Sequence, residues 1–178
     1  MKICLYGSAS EKIADIYKTE VYALGKLLAE RGHTLVFGGG CFGLMGSAAK
    51  GVKAGGGKII GVVPEFFKGG EVSVIFNDCD EFIPCETMYE RKQIMEETAD
   101  AFIVTPGGIG TYDEFFGVTA TRQLKRHSKP IALFNVNGFF DKLDQMIKDG
   151  DKEGFIKNLD GLYFISADKS ALLDYLEK

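Results

Sequence analysis

Two short stretches hold most of the residues able to do chemistry. In Pro106-Gly107-Gly108-Ile109-Gly110-Thr111-Tyr112-Asp113-Glu114, an apolar run gives way to clustered glycines, and a carboxylate stands three residues beyond Thr111. Glycines allow successive backbone N–H groups to converge on an anion. Thr111 is placed to cap the next helix, whose positive dipole end favours the same anion. Gly107, Gly108, Gly110 and Thr111 therefore read as a phosphate cradle. The plainer alternative is a tight strand-to-helix turn needing glycine for space, and the density of glycines favours the cradle. Glu114 has two readings. Thr111-x-x-Glu114 has the spacing of a capping box, as do Ser8-x-x-Glu11 and Thr87-x-x-Glu90, and spacing alone favours capping for all three. The other reading puts the carboxylate beside the sugar carbon of a bound nucleotide.

The second stretch, Met88-Tyr89-Glu90-Arg91-Lys92, opens a helix with Met88, Arg91 and Met95 on one face. An arginine on an apolar stripe needs a partner, because an unpaired buried charge is costly. Glu114, another carboxylate or a ligand phosphate would serve, the last suiting the guanidinium fork. Without further information the favoured reading is a solvated Arg-Lys pair. Gly38-Gly39-Gly40-Cys41-Phe42-Gly43 satisfies GxGxxG after a strand, with Glu65 downstream. It follows the second strand rather than the first, so it reads better as a glycine-rich turn lining the same crevice. No GxxxxGK[ST] occurs. His33 and His127 read as surface histidines, and Cys4, Cys41, Cys79 and Cys85 as reduced thiols without metal-binding spacing.

These groups must be positioned by a regular alternation of elements. Strand-like runs cover Ile3–Tyr6, Thr34–Phe37, Lys58–Val63, Ala101–Thr105, Ile131–Asn135 and Leu162–Ile165, with a weaker run at Glu81–Pro84. Helical periods cover Glu11–Arg31, Leu44–Ala54, Met88–Thr98, Tyr112–Leu124, Phe139–Lys148 and Lys169–Leu176. Runs such as CLY, LVF and FIV lack polar alternation, as strands buried on both faces do. The pattern predicts an α/β fold: one Rossmann-like, doubly wound, mostly parallel sheet flanked by helices, over residues 1–178. Phe66–Asp80 fits the alternation worst and reads as a loop over the sheet edge. If the first and fourth of the stronger strands flank the reversal of strand order, the Ser8 and Gly107 turns face each other across the crevice. A net charge of −4 gives no electrostatic footprint for nucleic acid or an anionic membrane. No run approaches the roughly 20 apolar residues of a membrane span, and the N-terminus has no signal-peptide core. The expectation is a cytoplasmic protein.

Taken together, PGGIGTYDE, MYERK, GGGCFGLMG, the opening YGSAS and KPIALFNVNGFFDKL resemble the Lonely Guy (LOG) family of cytokinin-activating phosphoribohydrolases, also filed as lysine decarboxylase-like proteins. Its patterns are PGGxGTxxE, MxxRK and GGGxxGLMG, and the likeness runs from Lys2 to about Asp144. The resemblance implies a homodimer that hydrolyses a nucleoside 5′-monophosphate to free base and ribose 5-phosphate, with no cofactor and no metal. It implies that Arg91 and Glu114 are the catalytic pair and that Gly107, Gly108, Gly110 and Thr111 cradle the phosphate. Ser8, Gly39, Gly40, Met88 and Lys92 would lie near the nucleotide. The chain departs from plant-type members after the cradle, where their EExxEVxTWAQLG has its tryptophan replaced by Thr121 and its glycine by Lys125. That helix shapes the base pocket in the family, so AMP or another simple nucleotide suits this chain as well as a prenylated one.

Three rival readings remain. A nucleotide sensor or a carrier of a phosphorylated cofactor would share the fold but have no use for Glu114. A lysine decarboxylase would need a lysine in a Schiff-base pocket, and none is evident. An NAD-dependent oxidoreductase rests on the GxGxxG match alone.

Overall fold

The computed structural model describes residues 1–68 and 74–178. Among the described residues seven strands form one sheet in the order β4-β3-β2-β1-β5-β6-β7. They are β1 (Lys2–Tyr6), β2 (Thr34–Phe37), β3 (Lys58–Pro64), β4 (Glu81–Cys85), β5 (Ala101–Val104), β6 (Ile131–Phe134) and β7 (Phe164–Ser166). Every pairing between them is parallel. The helices are α1 (Asp15–Glu30), α2 (Gly43–Ala54), α3 (Glu65–Lys68), α4 (Met88–Thr98), α5 (Ile109–Gln123), α6 (Asp141–Lys152) and α7 (Lys169–Leu176). The predicted α/β architecture is thus the observed one. Strand order reverses between β1 and β5, whose registers pair Ile3 with Ala101 and Tyr6 with Val104.

The uninterrupted apolar strands are buried because helices cover both sheet faces. One core gathers Leu5, Leu35 and Ile103 against Leu24, Leu28 and Ala48 from α1 and α2 and Leu172 from α7. The other gathers Tyr6, Val36 and Val104 against Met95, Phe115 and Ile147 from α4, α5 and α6. Helices α1 and α2 approach backbone to backbone, since a Cβ on Gly25 would stand 2.3 Å from the Ala48 carbonyl oxygen.

Several expectations are corrected. The weak run at Glu81 is a true strand, β4, and its mostly exposed pattern reflects its place at the sheet edge. Pro84 is tolerated there because, among the described residues, β3 alone pairs with β4. Helix α1 begins at Asp15 rather than Glu11, whose side chain is engaged elsewhere. Strand β7 begins two residues later than expected, and α6 runs on to Lys152 after a short 3-10 turn at Val136–Gly138. Within the loop expected at Phe66–Asp80, α3 continues to Lys68, Ile75 bridges Gly40, and residues 69–73 lie outside the described residues. Neither histidine is a plain surface residue. The end of α7 packs onto His33, placing Glu177 Oε1 2.7 Å from Nε2, and the half-buried His127 ring lies 3.0 Å from the Val118 carbonyl oxygen. The four cysteines are present as thiols rather than disulfides. Among the described residues no helix is long and apolar enough to cross a membrane.

Candidate active site

The carboxyl ends of β1 and β5 bring the two turns together. The Ser8 N–H donates to the Pro106 carbonyl at 3.1 Å, and Thr105 Oγ1 donates to the Tyr6 carbonyl at 2.9 Å. A cleft of about 400 Å³ opens above them. Of the expected site residues, Ser8, Met88, Arg91, Lys92, Gly108, Gly110, Thr111 and Glu114 line it, joined by Gly7, Ala9, Met45 and Asp113. Gly39, Gly40 and Gly107 do not line it. Gly39, at φ +75°, backs onto Val63, Gly40 pairs with Ile75, and Gly107 faces a smaller recess beside Tyr17 and Phe139.

Helix α5 starts at Ile109 with Gly108 as its N-cap and no side-chain cap. Thr111 is therefore a buried first-turn residue rather than the cap. Its side chain covers Gly107, where a Cβ would fall 2.1 Å from Thr111 Oγ1. The Thr111–Glu114 capping box accordingly does not form. Nor do the cradle glycines adopt positive φ, which is found instead at Gly39 and Gly43 in the glycine-rich turn after β2. At Gly108 and Gly110 a Cβ would meet nothing within 4 Å, so neither space nor backbone geometry demands glycine there. The N–H groups of Ile109, Gly110 and Thr111 take no partner among the described residues. These are the donors that a helix leaves unsatisfied at its start, where the dipole adds positive potential. Small residues thus leave an open anion-binding face.

Helix α4 is capped by Thr87, whose Oγ1 accepts from the Glu90 N–H at 3.1 Å. Glu90 turns to the Glu86 N–H at 2.7 Å, so only half of that reciprocal box is built. One turn on, Arg91 is buried, contrary to the solvated pair that spacing favoured. Its Nε donates to the Val62 carbonyl at 3.1 Å and its Nη2 to the Gly38 carbonyl at 2.9 Å. The ends of β2 and β3 thus supply neutral acceptors for a charge that remains directed at the cleft. A Cβ on Gly38 would fall 1.5 Å from Nη2, so the guanidinium occupies the space that glycine leaves. Lys92 fastens α4 to α5, its Nζ 3.0 Å from the Asp113 carbonyl oxygen and 3.1 Å from Asp113 Oδ2. That pairing was missed in the sequence, although the Arg-Lys and Asp-Glu dyads are its visible signal.

Glu114 is recessed between α4 and α5. Burial pushes its carboxyl up to about 7, against the opposing pull of Arg91 and then Lys92. A carboxyl held near neutrality can act as carboxylate or as acid in the physiological range. Beside the cleft, across Met88, Lys92 and Asp113, lies a second recess of about 550 Å³ reaching Gln93, Glu96 and Thr121. Among the described residues no three His, Cys, Asp or Glu side chains converge as a metal-holding group.

A helix start with unpartnered N–H groups, a desolvated carboxyl and a buried arginine, all at the switch point of a parallel sheet, make up a Rossmann-like site suited to a phosphorylated small molecule. The profile of the family described as "Possible lysine decarboxylase" matches residues 45–176. The cytokinin riboside 5′-monophosphate phosphoribohydrolase LOG2 of Arabidopsis thaliana is 36% identical over 178 residues, 99% of this chain and 83% of its own. The enzyme of that name from Mycobacterium tuberculosis is 42% identical over 141 residues, 79% of this chain and 74% of its own. Among solved structures, the molybdenum cofactor carrier protein of Chlamydomonas reinhardtii superposes with a TM-score of 0.74 at 26% identity, covering 99% of this chain and 98% of that one. The chain belongs to the LOG family of phosphoribohydrolases.

Proposed function

We propose that the cleft hydrolyses the N-glycosidic bond of a nucleoside 5′-monophosphate, a cytokinin riboside 5′-monophosphate or AMP, releasing the free base and ribose 5-phosphate. The observation that carries this reading is Glu114, a carboxyl raised to about 7, more than one turn into a helix whose first N–H groups are open. The substrate phosphate rests on the N–H groups of Ile109, Gly110 and Thr111, beside Gly108. Anchoring there brings the anomeric carbon towards Glu114, the positional part of the catalysis. As the bond to the base breaks, positive charge grows on the sugar. The Glu114 carboxylate stabilises that charge and orients or deprotonates the attacking water. Arg91 favours the ionised form of Glu114 and offers its remaining N–H groups to the substrate. Ser8 and Met88 line the nucleotide, Lys92 holds the Asp113 side of the cleft, and Gly39, Gly40 and Gly107 act from behind it. The recess between α4 and α5 gives the base and any substituent room to extend.

The same reading takes residues 1–178 as one catalytic domain working as a cytoplasmic homodimer on small nucleotides rather than nucleic acid. Exposed apolar side chains beside the cleft support the dimer, namely Tyr89 on α4 and Ile109 and Phe116 on α5. Sedimentation would find a monomer if that part were wrong. The activity itself is tested by incubating the protein with AMP, N6-isopentenyl-AMP, GMP and CMP and separating the products. Free base and ribose 5-phosphate are expected. Intact nucleotides with thermal stabilisation by one of them would favour a carrier, the function named for the Chlamydomonas neighbour.

A further inference from the structure

The mechanism leaves one charged group at the cleft edge unused. Glu11 stands in the irregular segment between β1 and α1, its side chain 55% exposed. Its Oε1 nevertheless accepts from the Gly43 N–H at 2.6 Å, across 32 residues of chain. Lys18 Nζ returns to Glu11 Oε2 and to the Glu11 carbonyl, both at 3.1 Å. The Gly43 N–H, followed by Lys18, holds the carboxyl below its ordinary value. From the same segment, the Ser8 carbonyl accepts from the Leu44 N–H at 2.7 Å and the Met45 N–H at 3.4 Å. The first three donors of α2 therefore all end on residues 8–11, and the helix has no side-chain cap of its own. The approach is close: Gly43 sits at φ +59°, and a Cβ there would fall 2.4 Å from the Ser8 carbonyl oxygen. Ser8 and Ala9 form one edge of the cleft and Met45 another.

We propose that Glu11 is a positioning residue for nucleotide binding: it latches the Ser8–Ala9 segment to the start of α2 and so sets the width of the cleft facing Glu114. This rests on the hydrolase reading. A charge-assisted bond to a helix N-terminus is among the stronger local ties available, and the segment it holds has no ladder or helix to fix it. Losing the tie loosens binding of the nucleotide while leaving Arg91 and Glu114 on their own helices.

The test compares Glu11→Ala, Glu11→Gln and Asp168→Ala, each measured for kcat and KM with AMP and for AMP affinity by calorimetry. Asp168 caps α7 by accepting from the Ala171 N–H at 3.0 Å, and it controls for simple loss of a cap. Glu11→Ala is expected to raise KM and Kd about tenfold with kcat within about twofold, since misplacement of a binding wall costs alignment. Glu11→Gln keeps an acceptor for Gly43 and is expected to recover most of that loss. Asp168→Ala should lower Tm yet leave both constants unchanged. The latch is refuted if Glu11→Ala leaves Kd within about twofold of the parent, if Glu11→Gln is equally impaired, or if Asp168→Ala shifts Kd as much. A parent that binds AMP without cleaving it, and loses affinity in Glu11→Ala, overturns the hydrolase reading but keeps the latch. A parent that neither binds nor cleaves AMP or N6-isopentenyl-AMP removes both.

Discussion

Replacing Glu114 by glutamine separates a catalytic role from a purely structural one, because they predict opposite changes in stability. The carboxyl ordinarily titrates at 4.5 and is raised by burial to about 7 in the fold. A raised carboxyl pKa means the folded protein disfavours the ionised form. The protein is therefore most stable, as far as this group is concerned, below 4.5, and it loses stability as pH climbs through about 7. At ~1.4 kcal/mol per pH unit, the gap amounts to about 3 kcal/mol at pH 8. Glutamine is nearly isosteric and carries no charge, so Glu114→Gln should recover much of it. For a chain of this size that is a Tm gain of roughly 5–10 °C at pH 8 and almost none at pH 4. Base release should fall by about a hundredfold or more, the usual scale for loss of a catalytic acid–base group. Calorimetric melting across pH 4–8 together with a product assay measures both. A variant that melts early at every pH would return Glu114 to a structural role, and one retaining more than about a tenth of the activity would remove it from the chemistry.

Further outcomes follow from the same geometry. If the carboxylate is the active form, a group titrating at about 7 is one-eleventh ionised at pH 6 and ten-elevenths at pH 8, so kcat/KM should climb about tenfold over that span. A flat profile there would contradict this assignment. Gly108→Ala, with nothing within 4 Å of its Cβ, should leave Tm unchanged and raise KM for AMP, whereas loss of Tm would deny the open anion face. Gly38→Ala places a Cβ 1.5 Å from Arg91 Nη2 and should cost about 1–3 kcal/mol in chemical denaturation as well as activity. Arg91→Gln removes the guanidinium held by the Val62 and Gly38 carbonyls and should shift the pH profile of kcat/KM upward as Glu114 loses a cation that lowers its pKa.

Much of the frame is legible in the sequence alone. Strands such as Ile3–Tyr6 and Ala101–Val104 announce themselves by unbroken apolar runs, which only a sheet covered on both faces requires. Strand β4 was harder to read because an edge strand need not be apolar, and α1 was overextended because periodicity cannot tell that Glu11 is bound to a distant helix. The family motifs pointed to Arg91 and Glu114, but spacing alone favoured a solvated arginine and a capping glutamate. What overrode those preferences is that carbonyls at the ends of β2 and β3 receive the guanidinium and that Gly108 rather than Thr111 is the N-cap of α5.

The two glycine-rich turns show why only one of two similar motifs leaves room for a phosphate. Both follow parallel strands and open helices, so each offers unsatisfied N–H groups at a positive dipole end. At the GxGxxG turn those groups are already taken, with Gly43, Leu44 and Met45 bound to the Glu11 carboxylate and the Ser8 carbonyl. The chain has placed its own anion where the dinucleotide fingerprint expects a pyrophosphate. At the second turn the N–H groups of Ile109, Gly110 and Thr111 remain open, Gly108 and Gly110 leave their approach clear, and the carboxylate lies farther along the helix. The difference in carboxylate position has a physical consequence. A carboxylate at the first donor, as at Gly43, competes with phosphate for the helix start. One displaced into the next turn, as at Glu114, leaves that start free and stands beside whatever the phosphate carries.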